Sequence, residues 1–341
     1  MARVIGMPHR LVRRSAAARL AAVAATAAMT MVVLANGAGA STTITEYALP
    51  TAKSAPAGLV SGPDHAIWFT ELATNNIARM DVSTHMVREY PLPTKSAGPN
   101  SIAAGADGGL WFAELAAGNI GRIDPGTGTV AEFPIPTEAS KPTGIVAGPD
   151  GAMWFTETMG GKIGRIDPAA HTFREYRLST PQALPGVIVN GPDGGLWFPE
   201  LGGNKIGRID AATGKVTEYA IPTPKAQPIG VVAGPDGAIW FTESATNKVG
   251  RLDPTTGAIK EYPLSGAKAA PGAMAAGPDG KVWFVEIGAN KIGRIDPGTG
   301  EITEFAIPSA NSVPMLIAPG SDGALWFSEL ATNRLGRIGG I

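Results

Sequence analysis

The chain has 341 residues, a formal net charge of −1 and no cysteine. Disulfides and thiolate metal sites are therefore excluded, and the charge balance offers nothing to a nucleic acid or an anionic membrane surface. Gly (45) and Pro (29) are abundant but recur at regular positions, so they read as turns rather than as disorder.

Residues 1–40 stand apart from the rest. Arg3, Arg10, Arg13, Arg14 and Arg19 form a basic start, Leu20 to Ala35 is an apolar, Ala-rich run, and Ala38-Gly39-Ala40 is a small-x-small cleavage motif before Ser41. The pattern is that of a secretory signal peptide cut near Ala40. The alternative is an uncleaved anchor, for which the apolar run is short. Arg13-Arg14 suggests twin-arginine export, although Ser-Ala-Ala follows where bulky apolar residues are usual.

From Ser41 the chain repeats itself. Trp68, Trp111, Trp154, Trp197, Trp240, Trp283 and Trp326 are spaced by 43 residues without insertion or deletion, and no Trp is left over. Cleavage after Ala40 leaves 301 residues, seven times that period. A period of this length signals a propeller, solenoid or array, so residues 41–341 are read as one domain rather than two.

Within the unit that begins at Lys141, four strands are predicted. Gly144–Gly148 is a short run of small and β-branched residues, and Gly148-Pro-Asp-Gly151 is a hairpin turn. Met153–Glu157 is the second strand and Lys162–Ile166 the third. The tight connection between them passes through Gly161 here and through Asn75, Asn204, Asn247, Asn290 and Asn333 elsewhere, residues that accept positive φ. Phe173–Leu178 is the fourth strand. Seven such units predict an all-β, seven-bladed β-propeller with four antiparallel strands per blade. The last unit stops at Ile341 before its fourth strand. The missing copy is Thr43–Pro50, so the N-terminal strand is expected to pair beside Leu335–Ile338 and close the ring.

An exact repeat carries its own control: a residue type present in every unit serves the blade, and one present in a single unit is a functional candidate. The Trp and following Phe residues read as core between blades. Glu71, Glu114, Glu157, Glu200, Glu243, Glu286 and Glu329 end the second strands and ring one face. They read either as a cation-binding ring or as cross-strand partners of the residue five further on, which is Lys or Arg in five units and Asn76 or Asn119 in two. A second set, Glu46 to Glu304, lies on the outer strands and is expected to be solvated. Glu138 is the one non-repeating acid on the Glu-ring face. His65, His85 and His171 replace turn glycines on the opposite face, poor places for a metal ligand or a general base. Phosphate-binding loops, nucleophile elbows and His-x-x-x-His spacings are absent.

The unit Gly-Pro-Asp-Gly-x-Leu-Trp-Phe-Thr-Glu-x-x-x-Asn-Lys-Ile-Gly-Arg-Ile-Asp, followed by Thr-Glu-Tyr-x-Ile-Pro-Thr-Pro, resembles the virginiamycin B (streptogramin B) lyase family, most closely over residues 223–251 and in extent over 41–341. The resemblance implies a monomeric seven-bladed propeller that opens cyclic depsipeptide antibiotics at the ester by Mg²⁺-assisted elimination. It also implies catalytic His at the opening of the innermost strands of the last two blades. The matching positions here are Ile229 or Gly272, and Met315. Val313 stands where the family has Glu. The whole ring at this level reads Ala57, Asn100, Thr143, Gly186, Ile229, Gly272 and Met315, with no His.

Glu329 matches the family's second metal acid, so Glu329 and Glu286 are the candidates for Mg²⁺. Asn100, Thr143, Met315, Glu138 and Lys141 are the candidates for ligand binding at the channel mouth. Three functions follow: a lyase acting on a cyclic peptide, a non-catalytic propeller that binds a small ligand or a protein, and a lactone-acting propeller hydrolase.

Overall fold

In the computed structural model, which describes residues 31–32, 42–266 and 268–341, the chain forms seven antiparallel sheets arranged in a ring. Blade 3 shows the pattern: Pro142–Ala147 innermost, then Met153–Glu157, Lys162–Ile166 and Phe173–Arg177, in that spatial order. Blades 1, 2, 5 and 6 repeat it, with innermost strands Pro56–Ser61, Pro99–Ala104, Pro228–Ala233 and Pro271–Ala276. In blade 4 the innermost ladder is interrupted. Only Val189–Asn190 and a single bridge between Pro185 and Glu200 remain.

Blade 7 comprises Pro314–Pro319, Leu325–Glu329 and Arg334–Gly339, and its fourth strand is Thr43–Ala48, with Glu46 opposite Gly336. The predicted closure is thus the observed one. Tyr47 stacks on Trp326 at 5.4 Å just as Tyr90 stacks on Trp68, so the N-terminal strand supplies the seventh copy of the aromatic pair. Met31–Val32 forms a two-residue strand beyond Thr43–Ala48. The rest of the expected signal peptide and its cleavage motif lie outside the described residues.

The core lies between blades. Trp154 of blade 3 shares a cluster with Phe198 of blade 4, and Trp326 of blade 7 with Phe69 of blade 1. All seven Trp are fully buried. Each indole N–H donates to the Asp of the Gly-Pro-Asp-Gly-type turn, as Trp68 does to Asp64 at 2.9 Å, and in six of the seven blades that Asp also accepts from the Arg fifteen residues on, as Asp64 does from Arg79 at 2.6 Å; in blade 6 Arg294 stands 3.7 Å from Asp279 instead. The turn carboxylate therefore does more than shape a turn: it holds the buried Trp of the second strand to an Arg of the third. Burial pushes the Asp64 carboxyl up, but the bonds from Arg79 and Trp68 outweigh it and hold the group below its usual range.

The outer Glu residues are not simply solvated, as the sequence suggested. Each reaches the preceding linker: Glu175 accepts from the Thr137 hydroxyl at 2.7 Å and Glu46 from Ser309 at 2.8 Å. The Asn residues of the tight connections hold φ near +60° and also tie down a linker. Asn333 Oδ1 accepts from the Ser54 N–H at 2.7 Å.

The blades also alternate, which the 43-residue reading overlooks. Two residues after each Trp the chain carries Thr70, Thr156 and Thr242 in blades 1, 3 and 5, but Ala113, Pro199 and Val285 in blades 2, 4 and 6. The Thr156 hydroxyl accepts from Gly144 N–H at 2.9 Å and donates to the Gly186 carbonyl of blade 4 at 2.6 Å. Glycine is required where the N–H donates to the Thr hydroxyl, because a β-carbon built on Gly58 would lie 2.4 Å from the Asn100 oxygen of the next blade. Ser328 joins blade 7 to the Ala57 carbonyl at 2.7 Å. Thr156→Val is expected to leave the Gly144 N–H and the Gly186 carbonyl unpaired and to cost about 2 kcal/mol in denaturant unfolding. Ala113→Val, where no such bridge exists, tests bulk alone at the corresponding position.

Candidate functional site

The innermost strands open on the face that carries the connections between second and third strands. There they enclose a depression of about 300 Å³ around the ring axis. Ala57, Asn100, Thr143, Gly186, Ile229 and Met315 line it, one from each of six blades, and in blade 6 Ala273 takes the place of Gly272, which is buried. Leu184, Leu201 and Ile287 from the surrounding loops complete an apolar rim. No carboxylate, ammonium, guanidinium or imidazole contributes to the lining.

The two polar candidates are already engaged in holding blades together. Asn100 Nδ2 donates to the Thr143 carbonyl at 3.1 Å. The Thr143 hydroxyl lies 3.1 Å from that of Thr156 and 2.7 Å from that of Thr158, and Thr158 donates to the Pro185 carbonyl at 2.7 Å. This chain of hydroxyls takes up the Pro185 and Gly186 carbonyls of blade 4. Asn100, Thr143 and Met315 are therefore brought together at the channel mouth. Glu138 is exposed and Lys141 half-buried in the linker to blade 3, and neither lines the depression.

The Glu ring lies behind this rim and not in it. All seven of these carboxyls are inaccessible to solvent. The cross-strand register is as the sequence suggested, Glu157 opposite Lys162 and Glu329 opposite Arg334. The ion pairs are not. Lys162 turns outward to Glu175 at 2.9 Å, Lys205 to Glu218 at 2.7 Å, and Lys291 to Glu304 at 2.6 Å. Lysine prefers the outer acid because that carboxylate keeps partial access to water, whereas ionising the inner one requires full desolvation.

The inner acids are consequently pushed up. Burial, reinforced by the neighbouring Glu304, raises Glu286 to about 7. Burial raises Glu329 to about 8, with Glu46 adding to the shift against the bond from Thr332. Glu286 and Glu329 belong to separate blades, and neither lines the depression. Among the described residues no group of three or more His, Asp or Glu side chains stands close enough to hold a metal ion.

The three histidines of the propeller lie on the opposite face in positive-φ turns, at φ 62, 58 and 53° for His65, His85 and His171. Two of them stack on neighbouring outer strands, His85 on Tyr47 at 4.1 Å and His171 on Phe133 at 4.4 Å.

A profile described as the virginiamycin B lyase family matches residues 36–212 and 169–340. Among solved structures, virginiamycin B lyase from Staphylococcus aureus is 36% identical with a TM-score of 0.82, over 87% of this chain and 99% of its own. A streptogramin B lyase is 37% identical with the same TM-score, over 87% and 97%. A catalytically inactive His-to-Ala form of the S. aureus enzyme, solved with quinupristin, matches at 36% identity over 87% and 99%, again with a TM-score of 0.82. A search of curated proteins gives no match.

Proposed function

Because the chain belongs to the virginiamycin B lyase family, we propose that it is a propeller that takes a small, largely apolar ligand of the cyclic-peptide kind at the channel mouth, and that it holds this ligand without opening it. The observation that carries the reading is the lining of the depression, which offers apolar surface and a few hydroxyl and amide groups but nothing that accepts a proton at neutral pH. Elimination requires a base at the α-carbon, within hydrogen-bond reach of the proton it removes. Ile229 or Gly272, together with Met315, occupies the positions where the resemblance would put an imidazole. The S. aureus relative supports separating binding from catalysis, since its inactive His-to-Ala form was solved with quinupristin.

The residues present do not fit Mg²⁺. A hard cation needs ionised oxygens with room for several waters. Glu286 and Glu329 are sealed from solvent and held towards their neutral forms by burial.

Isothermal titration with quinupristin, with and without Mg²⁺, tests binding. Tandem mass spectrometry after chromatography tests opening, because elimination leaves the mass unchanged. Binding that Mg²⁺ does not alter, with the ring intact after overnight incubation, is the expected result. Turnover abolished by EDTA would return the chain to the lyases, the second reading, which the identity to two lyase structures over 87% of the chain favours. We further propose export, from the pattern in residues 1–40. N-terminal sequencing of secreted protein should begin at Ser41, and retention of the full chain in the membrane would indicate an anchor.

A further inference from the structure

Residues found in only one blade gather at one junction. In blade 3, Met159 stands where the other units carry Ala or Gly, and Arg177 where they carry Pro or Ala. In blade 4, Leu184 stands where the others carry Ala55, Gly98, Lys141, Gln227, Ala270 and Val313. All three line a groove of about 670 Å³ between blades 3 and 4, on the same face as the central depression, and the two cavities share Thr158 and Leu184. The large apolar side chains most exposed among the described residues are Met86, Met159 and Leu201, and the last two flank this junction. Met159 is 65% exposed, in a loop whose counterparts end in a methyl group or a hydrogen.

Arg177 gives the groove a sign. It ends the outer strand of blade 3, opposite Lys162. The acid nearest in sequence, Glu175, is already bonded to Lys162 and Thr137. Arg177 itself is exposed and makes no ion pair with any described residue. A guanidinium with its donors free, next to exposed methionine and leucine, matches one kind of molecule: an apolar body that ends in a carboxylate, which the planar fork can bind through two parallel hydrogen bonds.

We propose that this groove is the selective arm of the binding site, and that the preferred ligand is a small amphipathic acid. Its apolar body covers Leu184 and Leu201 between the central depression and the groove, and its carboxylate meets Arg177. The proposal rests on the central depression being a ligand site. The groove adds what the depression lacks, a charge to orient the ligand, beside the exposed apolar side chain of Met159.

Decanoate and decanol, matched in length and differing in charge, are the probes, titrated calorimetrically at pH 7 below the micellar concentration of the first and the solubility limit of the second. Decanoate should bind about tenfold more tightly than decanol. Arg177→Gln should erase that ratio and leave decanol unchanged, Met159→Ala should weaken both, and added salt should weaken decanoate alone. Equal affinity for the two probes, or a ratio that survives Arg177→Gln, overturns the proposal, as does no binding of either. Quinupristin binding without a decanoate preference would sink the groove assignment alone. A decanoate preference without quinupristin binding would sink the cyclic-peptide reading and leave the groove standing.

Discussion

Deleting residues 42–50 should abolish cooperative unfolding and leave a protein that melts early and broadly. The segment contributes Ile44, Tyr47 and Leu49 to the core, each less than 10% exposed. At about 1.5–3 kcal/mol for each large apolar side chain removed from water, their loss is comparable with the whole stability of an ordinary domain, about 5–15 kcal/mol. The deletion does more than subtract contacts. It leaves Arg334–Gly339 as an unpaired edge, strips Trp326 of the Tyr47 ring above it, and frees Ser309 from Glu46. Ile44 packs in one inter-blade cluster and Tyr47 in the next, so both junctions of blade 7 loosen together. Circular dichroism melts of the full and shortened chains decide the matter. A truncated protein with the parent's midpoint and steepness would mean that the ring holds without its N-terminal strand.

Stability should fall as pH rises from 5 to 8, which is unusual for a protein so rich in ion pairs. The cause is the inner Glu ring. Burial raises Glu114 and Glu329 to about 8 and Glu157, Glu200, Glu243 and Glu286 to about 7, and it raises Glu71 as well. In the unfolded chain these groups titrate near 4.5. Between the two values the folded state binds more protons than the unfolded one, so the slope of unfolding free energy against pH is negative. The outer acids act oppositely. Glu175, Glu218, Glu261 and Glu304 are held below the usual range by Lys and hydroxyl partners, and their contribution is lost only as pH falls through 4.5 and below.

The optimum should therefore lie near pH 5. The melting temperature should be lower by at least about 5 °C at pH 8, since each kcal/mol moves a chain of this size by roughly 2 °C. Differential scanning calorimetry across pH 4–9 provides the test, with Glu329→Gln expected to flatten the alkaline side. A melting temperature flat or rising over pH 5–8 would mean that the inner carboxyls are hydrated in solution.

Much of the fold was legible in the repeat. The Trp spacing gave the blade count, the Gly-Pro-Asp-Gly-type turns and the Asn connections gave the strand ends, and the orphan phrase at Thr43–Pro50 gave the closure. What escaped were the choices side chains make among partners, within a blade and between blades. Nothing in a single unit shows that Lys162 abandons Glu157 for Glu175, that Glu175 reaches a Thr in the preceding linker, or that Thr156 bridges to Gly186. The alternation of Thr with Ala, Pro or Val after each Trp was visible in the letters, but its meaning was not. The hydroxyl's partner belongs to the next blade, 30 residues away from Thr156.

The candidate site divides in the same way. Asn100, Thr143 and Met315 could be placed at the channel mouth because equal units put equal positions on one ring. Arg177 and Met159 could have been found by the same internal comparison, as residues that occur once. What joins them is the groove between blades 3 and 4, lined by the loop that carries Met159 and the linker that carries Leu184.

Taken by itself, the sequence determined the sheet, the count and the closure, because backbone pairing and turn geometry are local and a 43-residue period enforces them seven times. Only the tertiary structure decided which carboxyls are buried and where a ligand has room. Both depend on how much water remains between neighbouring blades, and that is set by distances across the ring rather than along the chain.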